Sequence, residues 1–115
     1  MNPDSLMIRS ANLLGTALKD TSGRKLGTIR EVFLERDTGH ARFVIVELGG
    51  LLKAAGKYYP VPWRALKFDE KTSGYLADIT KDKLKGGPAY DRDQLNDTAY
   101  AWSEQTERYY SVDPI

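Results

Sequence analysis

Glycine-containing polar turns recur along much of the sequence, and their spacing is the strongest constraint on its fold. Three of them are TSGRK (21–25), RDTGH (36–40) and KTSGY (71–75), each with a glycine late in a polar cluster. Glycine there supplies the positive φ that tight hairpin turns need. The segments between the turns are rich in β-branched and aromatic residues, which favour strands. From Gly15 to Ile79 the sequence therefore predicts a small all-β barrel or sandwich.

The segment ARFVIVELGG (41–50) is the clearest predicted strand. Its central residues FVIV are consecutively apolar, which predicts that both faces of the strand are covered. In the preceding segment the inward-facing residues are predicted to be Ile29, Val32 and Leu34, a step of three followed by a step of two. This irregular step indicates a β-bulge near Arg30 and Glu31, and bulges help small barrels to close. The two segments are predicted to form a hairpin.

Aromatic residues and prolines are concentrated in KYYPVPWRAL (57–66). Such a segment suits either a ligand platform or a strand that closes onto a core. Pro60 and Pro62 donate no ladder hydrogen bond, so the strand interpretation requires an edge strand or the start of one. In that case Trp63 closes the end of the barrel. We prefer the strand interpretation.

The C-terminal part of the chain has a different periodicity. Its apolar and small residues recur at steps of 4, 3, 4 and 3, which predicts a helix over about 93–110. Asp91 and Asp93 are candidate N-caps of this helix, and Thr80 is a candidate cap of a short helical turn over 80–85. The residues that form the stripe are Leu95, Ala99, Trp102, Thr106 and Tyr109.

Composition excludes several functional classes. Among 115 residues, 17 Lys and Arg balance 16 Asp and Glu, so a net charge of +1 directs the chain neither to nucleic acid nor to anionic membranes. The absence of cysteine excludes disulfides, thiolate catalysis and cysteine zinc sites. No apolar run is long enough to span a bilayer, and the N-terminus lacks a signal-peptide pattern. We expect a cytoplasmic domain without a membrane span.

The DTG string at 37–39 has two interpretations. Dimeric aspartic proteases use Asp-Thr-Gly with one carboxylate from each subunit. In this sequence polar residues flank the string between two predicted strands, which favours a turn. His40 is the only histidine, so a metal site would have to recruit carboxylates such as Asp37 and Glu35. Neither phosphate-binding glycine fingerprint is present. We therefore expect no enzymatic activity, no cofactor and no small-molecule substrate.

Four motifs in order resemble the PRC-barrel family. They are LG at 26–27, DTG at 37–39, VIVELGG at 44–50 and VPW at 61–63. The resemblance implies a small, strongly bent antiparallel β-barrel that acts as an assembly or binding module without enzymatic activity. We expect a flexible N-terminus over 1–7, a PRC-barrel domain over 8–85 and a C-terminal helical extension over 86–115. Structural roles are expected for Gly27, Gly39, Gly49, Gly50, Pro62 and Trp63.

The leading functional hypothesis is a protein-binding or self-associating module, with a homodimer as the expected assembly. Tyr58 and Tyr59 should face opposite sides of their strand, the outward ring being the contact residue. The predicted partner contacts are Leu51, Leu52, Tyr58, Tyr59, Trp102 and Tyr109. The alternative is an RNA- or ribosome-associated factor that binds through lysines between residues 53 and 85. Its predicted RNA contacts are Lys53, Lys57, Lys81, Lys83 and Lys85.

Overall fold

The protein is mainly β, with a bent sheet followed by short helices. The computed structural model describes residues 7–48, 56–72 and 74–111. Within these ranges six strands form: β1 (Ala17–Asp20), β2 (Lys25–Leu34), β3 (Ala41–Glu47), β4 (Tyr59–Pro62), β5 (Leu66–Asp69) and β6 (Gly74–Ala77). Three α-helices follow: α1 (Lys81–Lys85), α2 (Arg92–Leu95) and α3 (Ala101–Ser111). Single 3-10 turns lie at Ser10–Asn12 and Trp63–Ala65.

The strand order explains why the sheet bends into a barrel. The six strands are ordered β4-β3-β2-β1-β6-β5, so β4 and β5 lie at opposite edges. Yet β4 and β5 are joined by only the 3-10 turn at Trp63–Ala65, which spans about 6 Å at roughly 2 Å per residue. The sheet must therefore curl until its two edges are neighbours. The prediction of a small, bent barrel is confirmed.

One strand pairing differs from the predicted antiparallel barrel. The pairs β1–β2, β2–β3, β3–β4 and β5–β6 are antiparallel, whereas β1 and β6 are parallel. The turns read from the sequence describe only strands that are adjacent along the chain. The β1–β6 pair joins strands from the two ends of the barrel, and no local turn records its direction.

The predicted hairpin and its bulge are both present. In the β2–β3 ladder Ile29 is opposite Val46 and Glu31 is opposite Ile45, so Arg30 is the extra residue of the bulge. A second irregularity lies between Phe33 and Leu34.

Both faces of β3 are buried, as its uninterrupted apolar run predicts. Val44 and Val46 face the inner core of the barrel, whereas Phe43 and Ile45 face outward. The inner core is formed by Leu13, Leu18, Leu26, Ile29, Val44, Val46, Leu48, Tyr59, Val61, Ala65, Ala77 and Leu84. The outward residues join a separate outer core with Tyr90, Leu95 and Trp102, all from the C-terminal segment. That segment therefore packs on its own barrel.

The proline-rich segment forms an edge strand, in agreement with the strand interpretation. Pro60 and Pro62 lie in β4 at one edge of the sheet, opposite Ile45 and Phe43. Trp63 is partly buried against the inner core, and its ring centroid is 5.2 Å from that of Tyr75. These contacts support a packing role for Trp63 over a ligand platform.

The DTG string forms the turn of the β2–β3 hairpin. Gly39 has φ of +79°, and its amide donates to the Glu35 carbonyl at 2.7 Å. The Glu35 amide in turn donates to the His40 carbonyl at 2.7 Å. Asp37 and His40 are both exposed. Among the residues that the structure describes, no group of three His, Asp or Glu side chains could hold a metal ion.

Gly39→Ala tests this backbone requirement. An added Cβ meets nothing within 4 Å, so the expected cost comes from φ alone. We expect a loss of about 1 kcal/mol in the free energy of unfolding, since L-residues are disfavoured in the left-handed region. Urea denaturation would measure it. Gly39→Asn should cost less, because asparagine visits this region more readily; an equal or larger loss would contradict the explanation.

The C-terminal segment is two helices rather than one. Asp91 caps α2 with a capping box that includes Gln94, as its candidate role predicts. However, α2 ends at Leu95 and α3 begins only at Ala101, so the predicted continuous helix over 93–110 is wrong. Within α3 the buried residues are Trp102, Thr106 and Tyr110, so Tyr110 takes the place that the stripe predicts for Tyr109.

Local features of the short helices agree with the sequence. The Thr80 hydroxyl accepts from the Lys83 amide at 3.0 Å and so caps α1. Burial in α3 raises the pKa of the Tyr110 phenol, because the charged form is disfavoured away from water. In the described part of the chain no helix has the length and apolar character needed to cross a membrane.

Candidate interaction surface

Several predicted site residues lie outside the described ranges. They are Gly49, Gly50, Leu51, Leu52 and Lys53, all in the segment between β3 and β4. The predicted partner contact of the two leucines remains a prediction.

Two other predicted contact residues are buried in the cores. Tyr59 is 8% exposed in the inner core, and Trp102 is 3% exposed in the outer core. Both rings pack inside the fold, and the partner contact predicted for each remains a prediction. The sequence shows that both residues are aromatic but not whether they are exposed. Burial of Trp102 becomes evident only from the docking of the C-terminal segment on the barrel.

Tyr58 and Tyr109 are half-buried and hold the C-terminal segment. Tyr58 packs against the outer core, so it and Tyr59 face opposite sides as predicted. The backbones of Tyr58 and Tyr90 exchange hydrogen bonds of 2.8 and 2.9 Å, and Arg92 donates to the Tyr58 hydroxyl at 3.2 Å. The Tyr109 hydroxyl donates to the Lys83 carbonyl at 2.7 Å. Both rings therefore make contacts within the chain.

The lysines predicted to contact RNA do not all face one way. Lys81 and Lys85 are exposed, four residues apart on α1, and Lys57 is also exposed. Lys83 is half-buried, and its ammonium lies 4.2 Å from the centroid of the Tyr109 ring. At least one member of the predicted cluster is thus engaged inside the fold.

A groove lies at the turn end of the β2–β3 hairpin, and we call it the hairpin groove. It has a volume of about 520 Å³. One side is formed by residues 33–37 and by Arg42 and Phe43, and the other by Tyr100, Trp102 and Ser103. The barrel and the C-terminal segment therefore build the groove together.

Aromatic rings in edge-to-face contact line the hairpin groove. The Trp102 centroid lies 4.8 Å from that of Phe33 and 5.2 Å from that of Phe43. The Tyr100 centroid lies 6.3 Å from those of both Phe33 and Trp102. Edge-to-face pairs at these separations are favourable, so the rings form a fixed apolar surface.

Tyr100 takes an uncommon backbone conformation at this groove. Its φ is +53°, a left-handed value that bulky residues rarely adopt. Its carbonyl accepts from the Ser103 amide at 2.9 Å and from the Ser103 hydroxyl at 2.7 Å, at the start of α3. The side chain remains 46% exposed. Backbone strain of this kind is concentrated at binding and switch sites.

Charged side chains at the edge of the groove form compensating pairs. Arg42 is 3.2 Å from Glu35, and Arg36 is 3.5 Å from Asp37. All four side chains are substantially exposed. The rim therefore offers donors and acceptors of both signs without a net charge.

Leu34 is the residue that sequence reasoning misplaced. Its predicted inward orientation is wrong, because the irregularity after Phe33 turns it out and leaves it 61% exposed at the groove. Ile29 and Val32 do face the inner core as predicted. Tyr100 was missed as well, since no local signal in the sequence marks the helix break that exposes it.

Comparison with known proteins agrees with the barrel geometry. A family model for the PRC-barrel domain matches residues 6–84. The chain belongs to the PRC-barrel family. The chain is also similar to an uncharacterised protein of Deinococcus radiodurans, with 30% identity over 83 residues. This alignment covers 72% of the chain and 29% of the relative.

The PRC-barrel match divides the hairpin groove. Phe33 and Phe43 lie within the matched residues, whereas Tyr100 and Trp102 lie beyond residue 84. The groove is therefore built by a PRC-barrel together with a segment outside the family match.

Proposed function

We propose that this PRC-barrel protein is a non-enzymatic binding module that holds a protein partner or a second copy of itself through the hairpin groove. The observation that carries the proposal is the exposure of Leu34 and Tyr100, 61% and 46%, beside the ring of Trp102. Exposed large apolar side chains gathered at one concave site indicate an interaction surface.

The chemistry of the groove suits an apolar side chain of a protein. Aromatic residues are enriched at the centres of interfaces, where they bury much area with little loss of conformational freedom. The paired charges of Arg42 with Glu35 and of Arg36 with Asp37 can orient a polypeptide around that centre. A groove without net charge offers no special attraction to nucleic acid, so we prefer a protein partner to RNA.

Leu34→Glu is the sharpest test of the groove. We expect recovery of a bound partner, or formation of a homodimer, to fall by at least about tenfold, since burying a carboxylate in an apolar contact costs more than 1.4 kcal/mol. The thermal unfolding midpoint should hardly change, because the side chain is mostly exposed. Affinity capture with quantitative mass spectrometry and light scattering would measure the two forms of association.

Leu14→Glu is the matched control. Leu14 is another exposed leucine, 42% accessible, and is not among the residues that line the groove. This variant should bind as the unchanged protein does. If both variants lose association equally, or neither does, the assignment to the hairpin groove is wrong.

A further inference from the structure

The C-terminal segment and the barrel meet through a core of their own. We call residues 86–111 the tail. Of the buried outer-core residues, Phe43 and Ile45 belong to the barrel, whereas Tyr90, Leu95 and Trp102 belong to the tail. The buried residues of the inner core all belong to the barrel, and of the tail only the partly buried Ala89 is among the described residues packed against them. Undocking of the tail would therefore uncover the outer face of β3, while every buried residue of the inner core would stay in the barrel.

The tail is connected to the barrel by a short glycine-rich segment. Gly86 ends α1, and Gly87 and Pro88 precede Tyr90, where the backbone contact with Tyr58 begins. Glycine permits backbone changes that other residues resist. This segment is the natural hinge for movement of the tail.

Charge favours contact between the tail and any copy of the barrel. Residues 1–85 carry 15 basic and 10 acidic side chains, a net charge of +5, and the tail (86–111) carries 2 basic and 5 acidic, a net charge of −3. Arg64 on the turn after β4 pairs with Glu107 on α3 at 3.2 Å, and both side chains are about 40% exposed. Opposite charges of this size attract the tail of one copy to the body of another.

Two local features of the docked tail make its docking less favourable. Trp102 Nε1 is buried and has no hydrogen-bond partner among the described residues. Tyr100, whose ring lies beside that of Trp102, has a left-handed backbone conformation with φ of +53°. Both features weaken the docking of the tail, which favours release of the tail as a unit ahead of the barrel.

We propose that the tail exchanges between two copies of the chain. Each tail leaves its own barrel at the Gly86–Gly87 hinge and docks on the outer face of the second barrel through the same contacts. A second copy is the occupant that we infer, because this tail already fits this face in the structure and the charges of tail and barrel are complementary. Exchange of an identical element needs few new contacts and so is a low-cost route to a dimer. The exchange goes beyond the proposed function, because it joins two copies through the outer-core contacts and not through the occupation of the hairpin groove.

Cysteine cross-linking in the full chain tests the exchange. The chain has no cysteine, so introduced thiols report alone. Arg64→Cys and Glu107→Cys chains are prepared separately, mixed at high concentration, incubated below the unfolding transition and treated with a short bis-maleimide. A flexible linker is chosen because the 3.2 Å contact joins the ends of two long side chains, a span that a disulfide does not reach.

Exchange predicts a covalent heterodimer in this mixture. Its yield should exceed that of a control mixture by at least about tenfold, because docking raises the local thiol concentration to the millimolar range. The control combines Arg64→Cys with Arg108→Cys, which lies next to Glu107 on α3 but points about 100° away and is largely exposed. A yield equal to the control overturns the exchange.

A doubly substituted chain provides the second readout. Arg64→Cys/Glu107→Cys, cross-linked within one dilute chain, fixes the tail on its own barrel. We expect this chain to stay monomeric at concentrations where the reduced, unlinked chain dimerises, as measured by light scattering. Dimerisation of the locked chain as strongly as the unlinked one overturns the exchange while leaving self-association standing. Monomers in every sample overturn both.

Discussion

Trp102→Ala is expected to lower the free energy of unfolding by about 3–5 kcal/mol, the usual cost of truncating a buried tryptophan. The indole is 3% exposed and makes edge-to-face contacts with Phe33, Phe43 and Tyr100. Its contact with Tyr90 is tilted. The Trp102 ring joins the tail to the barrel through its contacts with Phe33 and Phe43. Its removal leaves a cavity in the outer core, so the loss should fall first on the docking of the tail.

Denaturant unfolding monitored by fluorescence and by far-ultraviolet circular dichroism would measure this effect. The chain has two tryptophans, so in the variant Trp63 alone reports on the barrel. Trp102→Phe is the control, because it keeps a ring against Phe33 and Phe43 and removes the unpartnered N–H. We expect it to retain more than half of the stability that alanine loses. A cost below about 1 kcal/mol for Trp102→Ala would show that the ring is not the anchor of the tail.

Gly27→Ala is expected to cost at least about 3 kcal/mol, at the upper end of the usual range for overpacking a core. An added Cβ would lie 2.6 Å from the Glu47 carbonyl oxygen and 2.6 Å from Val46 Cγ1. The first of these is backbone in β3, which is held between β2 and β4 and cannot move without disturbing both ladders. The glycine of the Leu-Gly motif at 26–27 therefore has a steric explanation, since no larger residue fits at position 27.

Gly74→Ala is the matched control for this substitution. Gly74 also lies in a strand, the first residue of β6, and an added Cβ there would meet Thr72 Oγ1 at 3.7 Å, an ordinary contact. Its effect should stay within about 0.5 kcal/mol, as for most surface changes. Thermal unfolding of both variants would decide the matter, and similar stabilities for Gly27→Ala and Gly74→Ala would contradict the steric explanation.

Local chemistry made part of the fold predictable. The hairpin of β2 and β3, the bulge at Arg30 and the burial of both faces of β3 follow from the step between inward residues and from an unbroken apolar run. The caps at Thr80 and Asp91 likewise depend on a side chain and an amide three residues away. These features involve neighbours along the chain or one adjacent strand, and the sequence records such relations directly.

Features that depend on distant parts of the chain were predicted poorly. The stripe from Leu95 to Tyr109 is continuous in the sequence, but the helix is interrupted at residues 96–100. As a result, α2 and α3 each contribute a residue to the outer core. The direction of the β1–β6 pair follows from barrel closure, for which no local turn exists. The exposure of Leu34 follows from the second irregularity in the β2–β3 ladder.

The sequence by itself determined a small bent β-barrel of the PRC-barrel family, its central hairpin and its edge strand, because turn residues, proline and apolar alternation act over a few residues. Only the tertiary structure decided what the aromatic residues do. In the tertiary structure Tyr59 and Trp102, which were predicted as partner contacts, are buried in the two cores, and Leu34 and Tyr100 both line the hairpin groove. Leu34 and Tyr100 are far apart in the sequence, and their meeting depends on how the tail docks on the barrel. Periodicity along the chain cannot encode the proximity of these two residues. It indicates which face of a strand or helix a side chain lies on, but not which distant part of the chain packs against that face.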